Sequence, residues 1–349
     1  MAQRKVRLGF VGTGMVANRQ MRQARQVPGL EVVAAADINR QVLDEFCERH
    51  GIARRYLSYE KMLAEEELDA VTVALPPYLH APATIAALEA GLHVICEKPM
   101  ALSSAEARAM VRAAKKAGRV LGVYYRRRFS PGAVAVRRLI ERGRLGKVYF
   151  VRVTGSRCRG RPYFDMPGFG SWFIKKKLAG GGVVMDLMGY DIDLVFWLLG
   201  FPRVKAVCAH CWQEIDRERA RAAGLDIEEF AAVTLRLPNN VAVFIERGFA
   251  ANVEDPNQIL IFGSKAGVRM QPLTLYRYVR GELVGREVKP VPTTSFKGGP
   301  LGDFVREIRG KGPTRMCTAA QGLFITRVQE AIYESAKQGR EIAVNICLR

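Results

Sequence analysis

Gly12, Gly14 and Ala17 stand in the pattern G-x-G-x-x-A within VRLGFVGTGMVANRQ, directly after an apolar run and at the head of an amphipathic one. The chemistry that needs this spacing is the seating of a diphosphate. The first glycine permits a tight turn, the second lets the backbone approach the phosphates, and the small third residue lets a helix pack closely on the strand. A helix that opens there, with Met15 and Val16 in its first turn, also offers unpaired N–H groups and a partial positive charge to an anion. Asp37 closes the next apolar run, 23 residues beyond Gly14. A carboxylate at that point can accept hydrogen bonds from ribose hydroxyls and repels a 2′-phosphate. The pattern therefore predicts a dinucleotide site that favours NAD over NADP, softened by the nearby Arg40. A helix-capping role for Asp37 is the competing reading.

Two further segments bear on a reaction. VTVALPPYLHAP ends an apolar run in Leu75-Pro76-Pro77, with His80 shortly after, and HVICEKPMA ends another in Glu97-Lys98-Pro99. In open parallel sheets, ligands lie beyond the carboxyl ends of the strands. Leu75, Pro76, His80, Glu97 and Lys98 are accordingly expected on the cofactor edge. A lysine there can hydrogen-bond and polarise a substrate hydroxyl, and a surface ion pair is the alternative role. A second cluster, AGGGVVMDLMGYDIDLVFWLLG, sets three glycines before Asp186, with Tyr190 four residues later and Asp193 three beyond that. Residues four apart share a helix face, so Asp186 and Tyr190 can point into one pocket. A phenol can then give or take a proton at an alcohol or carbonyl oxygen. The four histidines, His50, His80, His93 and His210, lie outside this cluster.

Such residues need a scaffold, and the chain is patterned to supply one. Apolar runs at 6–11, 31–36, 70–75, 93–97 and 119–124 alternate with amphipathic stretches near 15–25, 40–50, 81–90 and 104–117. That alternation reads as a parallel sheet covered by helices, with right-handed crossovers. The last stretch has Ser103 or Ser104 to open it and Glu106 placed for a capping interaction. After Tyr125 the rhythm changes. A helix near 132–142, a strand KVYFVRVTGS, a helix from about Val183 to Leu199, and then AAVTLRL, VAVFIERGF, NQILIFGS, GVRMQ and LTLYRYV follow, before a helix over about 319–337. Pro238-Asn239-Asn240 joins two of these strands as a hairpin. The expected fold is α/β: an N-terminal Rossmann doubly wound parallel sheet over residues 1–124, then an α+β domain with an open antiparallel sheet over 125–349, which carries the Asp186–Tyr190 cluster and so is expected to bind the substrate.

Composition narrows the class. The chain has 349 residues, 49% apolar and 25% charged, which suits a folded soluble protein of two domains. The opening residues run from a basic tip into the glycine turn without a signal-peptide pattern, and no apolar run is long enough to span a bilayer, so a cytoplasmic location and no membrane partner are expected. Seven scattered cysteines read as reduced thiols. Cys208 and Cys211 sit in an alternating strand pattern without a second pair, so no metal is assigned. The formal charge is +20, of which residues 1–124 carry +4 and the remainder +16. An excess of that size can attract nucleic acid or an anionic substrate. No nucleic-acid-binding motif accompanies it, and nucleic acid is disfavoured.

The fingerprint GTGMVA, the tripeptide EKP, YYRRRFSP, IERGRLGKVYFVR, AGGG-x₃-D-x₃-Y-x₂-D and AIYESAKQGREIAV, in this order and across nearly the whole chain, resemble the glucose-fructose oxidoreductase, inositol dehydrogenase and MocA family. The resemblance implies NAD(P)-dependent redox chemistry on sugars, polyols or related alcohols, and a sheet used for contacts in a homodimer or homotetramer. It assigns Lys98 to the reacting hydroxyl, Asp186 to substrate positioning and Tyr190 to acid–base work. Inositol dehydrogenase-like members carry His where Tyr190 stands, so this chain resembles the glucose-fructose oxidoreductase and dihydrodiol dehydrogenase branches instead. It also has Met188-Gly189 where relatives often have Gly followed by an apolar residue. The loop Arg157–Lys177, with Arg159, Arg161, Tyr163, Phe164, Trp172 and Lys175-Lys176-Lys177, matches a region that borders the substrate. Its aromatic faces and cations suit a sugar that is acidic or phosphorylated. Two other readings are an NAD-using glycosidase or lyase with transient redox, and a non-catalytic cofactor-binding regulator.

Overall fold

A computed structural model describes residues 4–292, 297–312 and 314–348. These form two compact units: the described residues of Met1–Phe129 and Thr293–Leu323, and those of Ser130–Pro292 and Phe324–Arg349.

In the first unit, β1 (Val6–Val11), β2 (Leu30–Ala36), β3 (Arg54–Tyr56), β4 (Ala70–Val73), β5 (His93–Cys96) and β6 (Leu121–Val123) are short, and all but the edge strand β3 are mainly apolar. They pair in parallel in the order β6-β5-β4-β1-β2-β3, with β1, β4, β5 and β6 buried on both faces. The two-residue β15 (Cys317–Thr318) adds an antiparallel edge on β6. Helices Met15–Ala24, Arg40–His50, Tyr59–Glu65, His80–Glu89 and Ser104–Ala117 connect the strands. The first buries Ala17, Gln20, Met21 and Ala24, the spacing of one helical face. The last is capped as expected: Ser103 Oγ accepts from Glu106 N–H at 3.2 Å, while Glu106 Oε2 accepts from Leu102 N–H at 3.0 Å. The chain reverses its strand order around β1, which opens a crevice at the carboxyl ends of β1 and its neighbours.

The boundary expected after residue 124 differs from this packing, and so does the assignment of everything beyond it to one domain. Helix Gly299–Ile308 belongs with the first unit, because Leu301, Phe304 and Val305 complete the core around Leu8, Phe10 and Ile95. Burying such side chains is worth about 1.5–3 kcal/mol each. The short strands β3 and β15 and helix Tyr59–Glu65 have no counterpart in the apolar pattern.

The second unit holds a nine-stranded sheet. Its strands are β7 (Val148–Thr154), β8 (Val204–Trp212), β9 (Phe230–Leu237), β10 (Val241–Gly248), β11 (Gln258–Gly263), β12 (Gly267–Met270), β13 (Leu273–Val279), β14 (Glu282–Glu287) and β16 (Ile342–Ile346). Their order is β14-β13-β12-β11-β7-β10-β9-β8-β16. Pairing is antiparallel except between β7 and β10, which run parallel. Asn239 and Asn240, at φ 60° and 56°, make the tight β9–β10 turn. On the inner face Val151, Val153, Val243 and Ile245 are at most 1% exposed. Three residues apart on β8, Cys208 and Cys211 project to opposite faces of the sheet.

Candidate active site

The cofactor edge is built from the carboxyl ends of four neighbouring strands. After β1, Gly12 turns the chain at φ +92°, and a Cβ there would lie 2.5 Å from Ala74 O. Gly14 precedes helix Met15–Ala24 and brings no side-chain cap to it. A Cβ on Gly14 would meet nothing within 4 Å, so its surroundings leave room for a phosphate oxygen. Met15 is 51% exposed beside this opening, Val16 is half-buried, and Ala17 packs fully inside. Asp37, past β2, holds the turn: Oδ2 accepts from Thr13 N–H (2.9 Å) and Thr13 O–H (3.1 Å), and Oδ1 accepts from Asn39 N–H (2.9 Å). A carboxylate has about four acceptor positions, which leaves capacity on Oδ1 for a ribose hydroxyl. The cap of helix Arg40–His50 is Asn39, whose Oδ1 accepts from Val42 N–H at 3.2 Å. Leu75 and Pro76 follow β4 and are half-buried. An NAD-type dinucleotide therefore fits the residues present.

Lys98 follows β5 on the same edge and is half-buried. Glu97 and His80 lie close by in the fold. Glu97 points inward, only 7% exposed, as alternation along a strand requires. Its Oε1 accepts from Gln20 Nε2 at 2.8 Å and its Oε2 from Lys98 N–H at 3.1 Å, while Gln20 Oε1 accepts from Thr72 O–H at 2.6 Å. Burial raises the Glu97 pKa, opposed by the Lys98 charge. His80 is 1% exposed, with Nδ1 2.7 Å from Pro99 O and Nε2 2.8 Å from Leu75 O. Burial is the largest influence on this ring and lowers its pKa. Glu97 and His80, read from the sequence as cofactor contacts, also brace the edge from within: one lies behind Lys98, the other ties the loop after β4 to Pro99.

The second unit carries Asp186 and Tyr190. The expected helix over Val183–Leu199 begins instead as a π-turn, Val184–Met188, and continues as an α-helix from Gly189 to Leu199. π-turns inside helices recur at functional sites. Here the turn ends at Met188-Gly189, the pair that departs from the family pattern. From Gly181 to Leu194 every residue is buried except Asp186, Leu187 and Tyr190, so the helix opens on one face.

Side chains far away in sequence hold that helix. Glu228 accepts from Gly182 N–H and Val184 N–H, both at 2.9 Å, and from Tyr333 O–H at 2.8 Å. Burial raises the pKa of Glu228 against these donors, and that of Tyr333 as well. The glycine run is required by the same neighbours: a Cβ on Gly181 would sit 1.8 Å from Tyr333 Oη, and one on Gly182 1.8 Å from Glu228 O. Gln329 Nε2 donates to Val184 O at 2.9 Å. Beside Tyr190, Asp191 forms a buried bidentate pair with Arg247 at 2.7 and 2.8 Å. Sequence reasoning missed Glu228, Gln329, Tyr333 and Arg247. The one local signal was an acidic pair, Glu228-Glu229, set at the head of an apolar strand.

The loop cations expected to meet an anionic substrate are largely engaged within the protein. Arg161 is 0% exposed and paired with Asp165, Asp216 and Glu229 at 2.7–3.0 Å. Burial pushes the Asp165 pKa up, but the hydrogen bonds and charge of Arg161 outweigh it and hold that carboxyl below its ordinary range. Arg159 lies 3.4 Å from Asp216, Lys175 Nζ donates to Gly224 O at 2.5 Å, and Lys176 Nζ stands 5.3 Å from the centre of the Tyr333 ring.

The turn after β1 and Asp37 fit a dinucleotide, and comparison with known proteins identifies the class of enzyme and the family. Residues 6–125 match the family model described as an oxidoreductase family with an NAD-binding Rossmann fold, and residues 133–269 match the GFO/IDH/MocA C-terminal domain. The chain belongs to the GFO/IDH/MocA oxidoreductases and is an NAD(P)-dependent enzyme acting on CH–OH groups. It is 30% identical over 352 residues to the D-glucoside 3-dehydrogenase of Escherichia coli (strain K12), covering 98% of each. Among solved structures, the aldose-aldose oxidoreductase from Caulobacter crescentus superposes with a TM-score of 0.80 at 27% identity, over 98% of this chain and 100% of that one. The WlbA dehydrogenase from Bordetella pertussis, solved with NADH and UDP-GlcNAcA, gives 0.81 at 27%, over 98% and 99%. No helix among the described residues is long and apolar enough to cross a membrane.

Proposed function

We propose that this protein oxidises a secondary hydroxyl of a sugar, glycoside or related polyol, or reduces the corresponding carbonyl, and that it works with NAD in preference to NADP in the cytoplasm. The observation that carries the reading is the exposure of Asp186, Leu187 and Tyr190 on a helix that otherwise buries its first ten residues and more. An acid and a phenol left part-exposed on one face of an otherwise buried helix can both reach a ligand that lies against that face. Bound NAD supplies the hydride acceptor. Lys98 donates a hydrogen bond from Nζ to the reacting oxygen and stabilises negative charge as it develops there. Tyr190 Oη takes the hydroxyl proton as the phenolate in oxidation and gives it back as the phenol in reduction, and Asp186 accepts from a neighbouring hydroxyl and orients the ring. The Gly12–Ala17 turn binds the pyrophosphate, and Asp37 takes the adenosine ribose and disfavours a 2′-phosphate.

A neutral sugar is favoured over the acidic or phosphorylated one expected from the loop cations. Arg161, Arg159 and Lys175 already have protein partners, and the name of the Escherichia coli relative is that of a glucoside enzyme. The test is a panel of methyl glucosides, aldoses, inositols, uronates and sugar phosphates, followed by NADH absorbance. Turnover of neutral glycosides with NAD is expected. Turnover confined to uronates or phosphates would overturn the neutral-sugar reading, and release of a leaving group without net NADH would replace the dehydrogenase by a hydrolase or lyase. Tyr278 and Leu283, 75% and 70% exposed on β13 and β14, support self-association into a homodimer or homotetramer, which light scattering would read directly.

A further inference from the structure

The segment Asp226–Glu229 is short, but its acids hold three separate pieces of the second unit. Asp226 Oδ1 accepts from Lys176 N–H at 2.5 Å. Glu229, just before β9, accepts from Arg161 Nη1 at 2.9 Å and from Glu214 N–H at 2.7 Å. Glu228 alone reaches the segment that presents Asp186 and Tyr190. No carboxylate is needed there for packing, because an apolar side chain of the same size would fill the space without desolvating a charge.

What the carboxylate does is collect donors that a helix start leaves unpaired. Gly182 N–H and Val184 N–H, two residues apart, both end on it, and its own backbone O accepts from Val183 N–H at 3.2 Å. The next link leads to the site: Gly182 O accepts from Asp186 N–H at 3.0 Å. An unbroken path of hydrogen bonds therefore runs from the Glu228 side chain through Gly182 to the backbone of Asp186. The π-turn has one residue more per loop than an α-turn, so its rotation has to be imposed from outside. Glu228 imposes it at the amino end, with Tyr333 fixing the carboxylate in turn.

We propose that Glu228 is a positioning residue of the reaction, which sets the rotation of the π-turn and with it the direction in which Asp186 and Tyr190 face the substrate. The proposal rests on the catalytic reading of those two residues. Its test compares Glu228→Gln with Tyr333→Phe, and with Asp186→Asn and Tyr190→Phe as references, in the full-length protein. Glutamine keeps the shape but sets an NH₂ against a backbone N–H. Two readouts are taken: steady-state rates with NAD and a methyl glucoside, and amide hydrogen exchange of the peptide covering residues 180–190 without any ligand.

For Glu228→Gln we expect a kcat lower by about 100-fold, the scale of a small misplacement of reacting groups, with KM for NAD unchanged. Exchange should rise within 180–190 and stay at wild-type levels in the first unit. Tyr333→Phe, which keeps the carboxylate, should give a smaller effect of the same kind and decides the matter if the glutamine variant does not fold. Wild-type kcat and exchange in either folded variant would overturn the proposal, as would exchange that rises throughout the second unit, the mark of general loosening. If Asp186→Asn and Tyr190→Phe retain full turnover, the catalytic reading fails while the exchange result still stands. If they are impaired and Glu228→Gln is not, the positioning role alone fails.

Discussion

Lys98 and Tyr190 are held in place by opposite means. Lys98 is delivered by the backbone: a buried parallel strand ends, and the next residues necessarily emerge at the ligand-facing edge. Its braces, Glu97, Gln20 and His80, come from elements of the same βα succession. Tyr190 sits on a helix whose start is distorted, and whose position depends on Glu228, Gln329, Tyr333 and Arg247, residues 38 to 143 positions beyond Tyr190 in the sequence. The lesson concerns where information resides. A site on a sheet edge inherits its geometry from topology, whereas a site on a distorted helix has to be pinned by long-range polar contacts.

The contrast can be broken at several points. The largest effect is expected from Lys98→Met, which should reduce kcat by about 10²- to 10⁴-fold while leaving NADH binding and the melting temperature intact. Unchanged turnover would remove Lys98 from the chemistry, and a collapse in stability would mean that the sheet edge is not self-supporting. Next, Arg247→Met removes the guanidinium paired with buried Asp191 and should destabilise the protein by about 3–5 kcal/mol. Gln20→Leu, which removes the hydrogen bond to Glu97 and the one accepted from Thr72 in the first unit, should cost about 1–3 kcal/mol. Chemical denaturation of the pair would sharpen the comparison, and equal losses would refute it.

Asp37→Asn is expected to weaken NAD binding by about 10- to 100-fold, the worth of hydrogen bonds to a charged group, and to narrow the preference over NADP. Fluorescence titration with both cofactors reads this out. The smallest effect is on pH dependence. Burial raises the pKa of both Glu97 and Glu228 in the folded state. A carboxyl whose folded pKa lies above its unfolded value takes up a proton more readily when folded. Its contribution to stability is complete below the unfolded value and is lost as pH rises through the folded one. The melting temperature of the wild type relative to Glu97→Gln or Glu228→Gln should therefore increase as pH is lowered from about 8 towards 5. A difference that shrinks over this range would contradict the sign.

Much of the first unit was legible because its elements obey local rules. The strand periods, the G-x-G-x-x-A turn and the Ser103 cap each depend on residues within a few positions of one another. Strand β3 and the edge β15 escaped, since three residues and two residues carry too little pattern to register. In the second unit β7 to β13 were readable by alternation, whereas β14 and β16 were not read; nor was the parallel pairing of β7 with β10, because a pairing partner is a property of topology rather than of either strand. Asp186 and Tyr190 announced themselves by spacing. The residues that pin them did not: a buried glutamate looks like any surface glutamate until its donors are known. Arg161 misled for the same reason, since a guanidinium enclosed by three carboxylates reads in sequence as one free to meet an anion.

The return of the chain to complete the first sheet sets a limit on how that unit can be handled. A polypeptide cut after Phe129 would lack Leu301, Phe304, Val305 and Met316 from its interior. It would also leave Leu121–Val123 with one open side where β15 should zip on, beside Gly122, where a Cβ would come within 2.4 Å of Met316 Sδ. Such a fragment carries the whole phosphate-binding turn and still exposes an adhesive ladder edge. A dinucleotide-binding module taken from this protein has to be a permuted chain, with the later segment stitched back on.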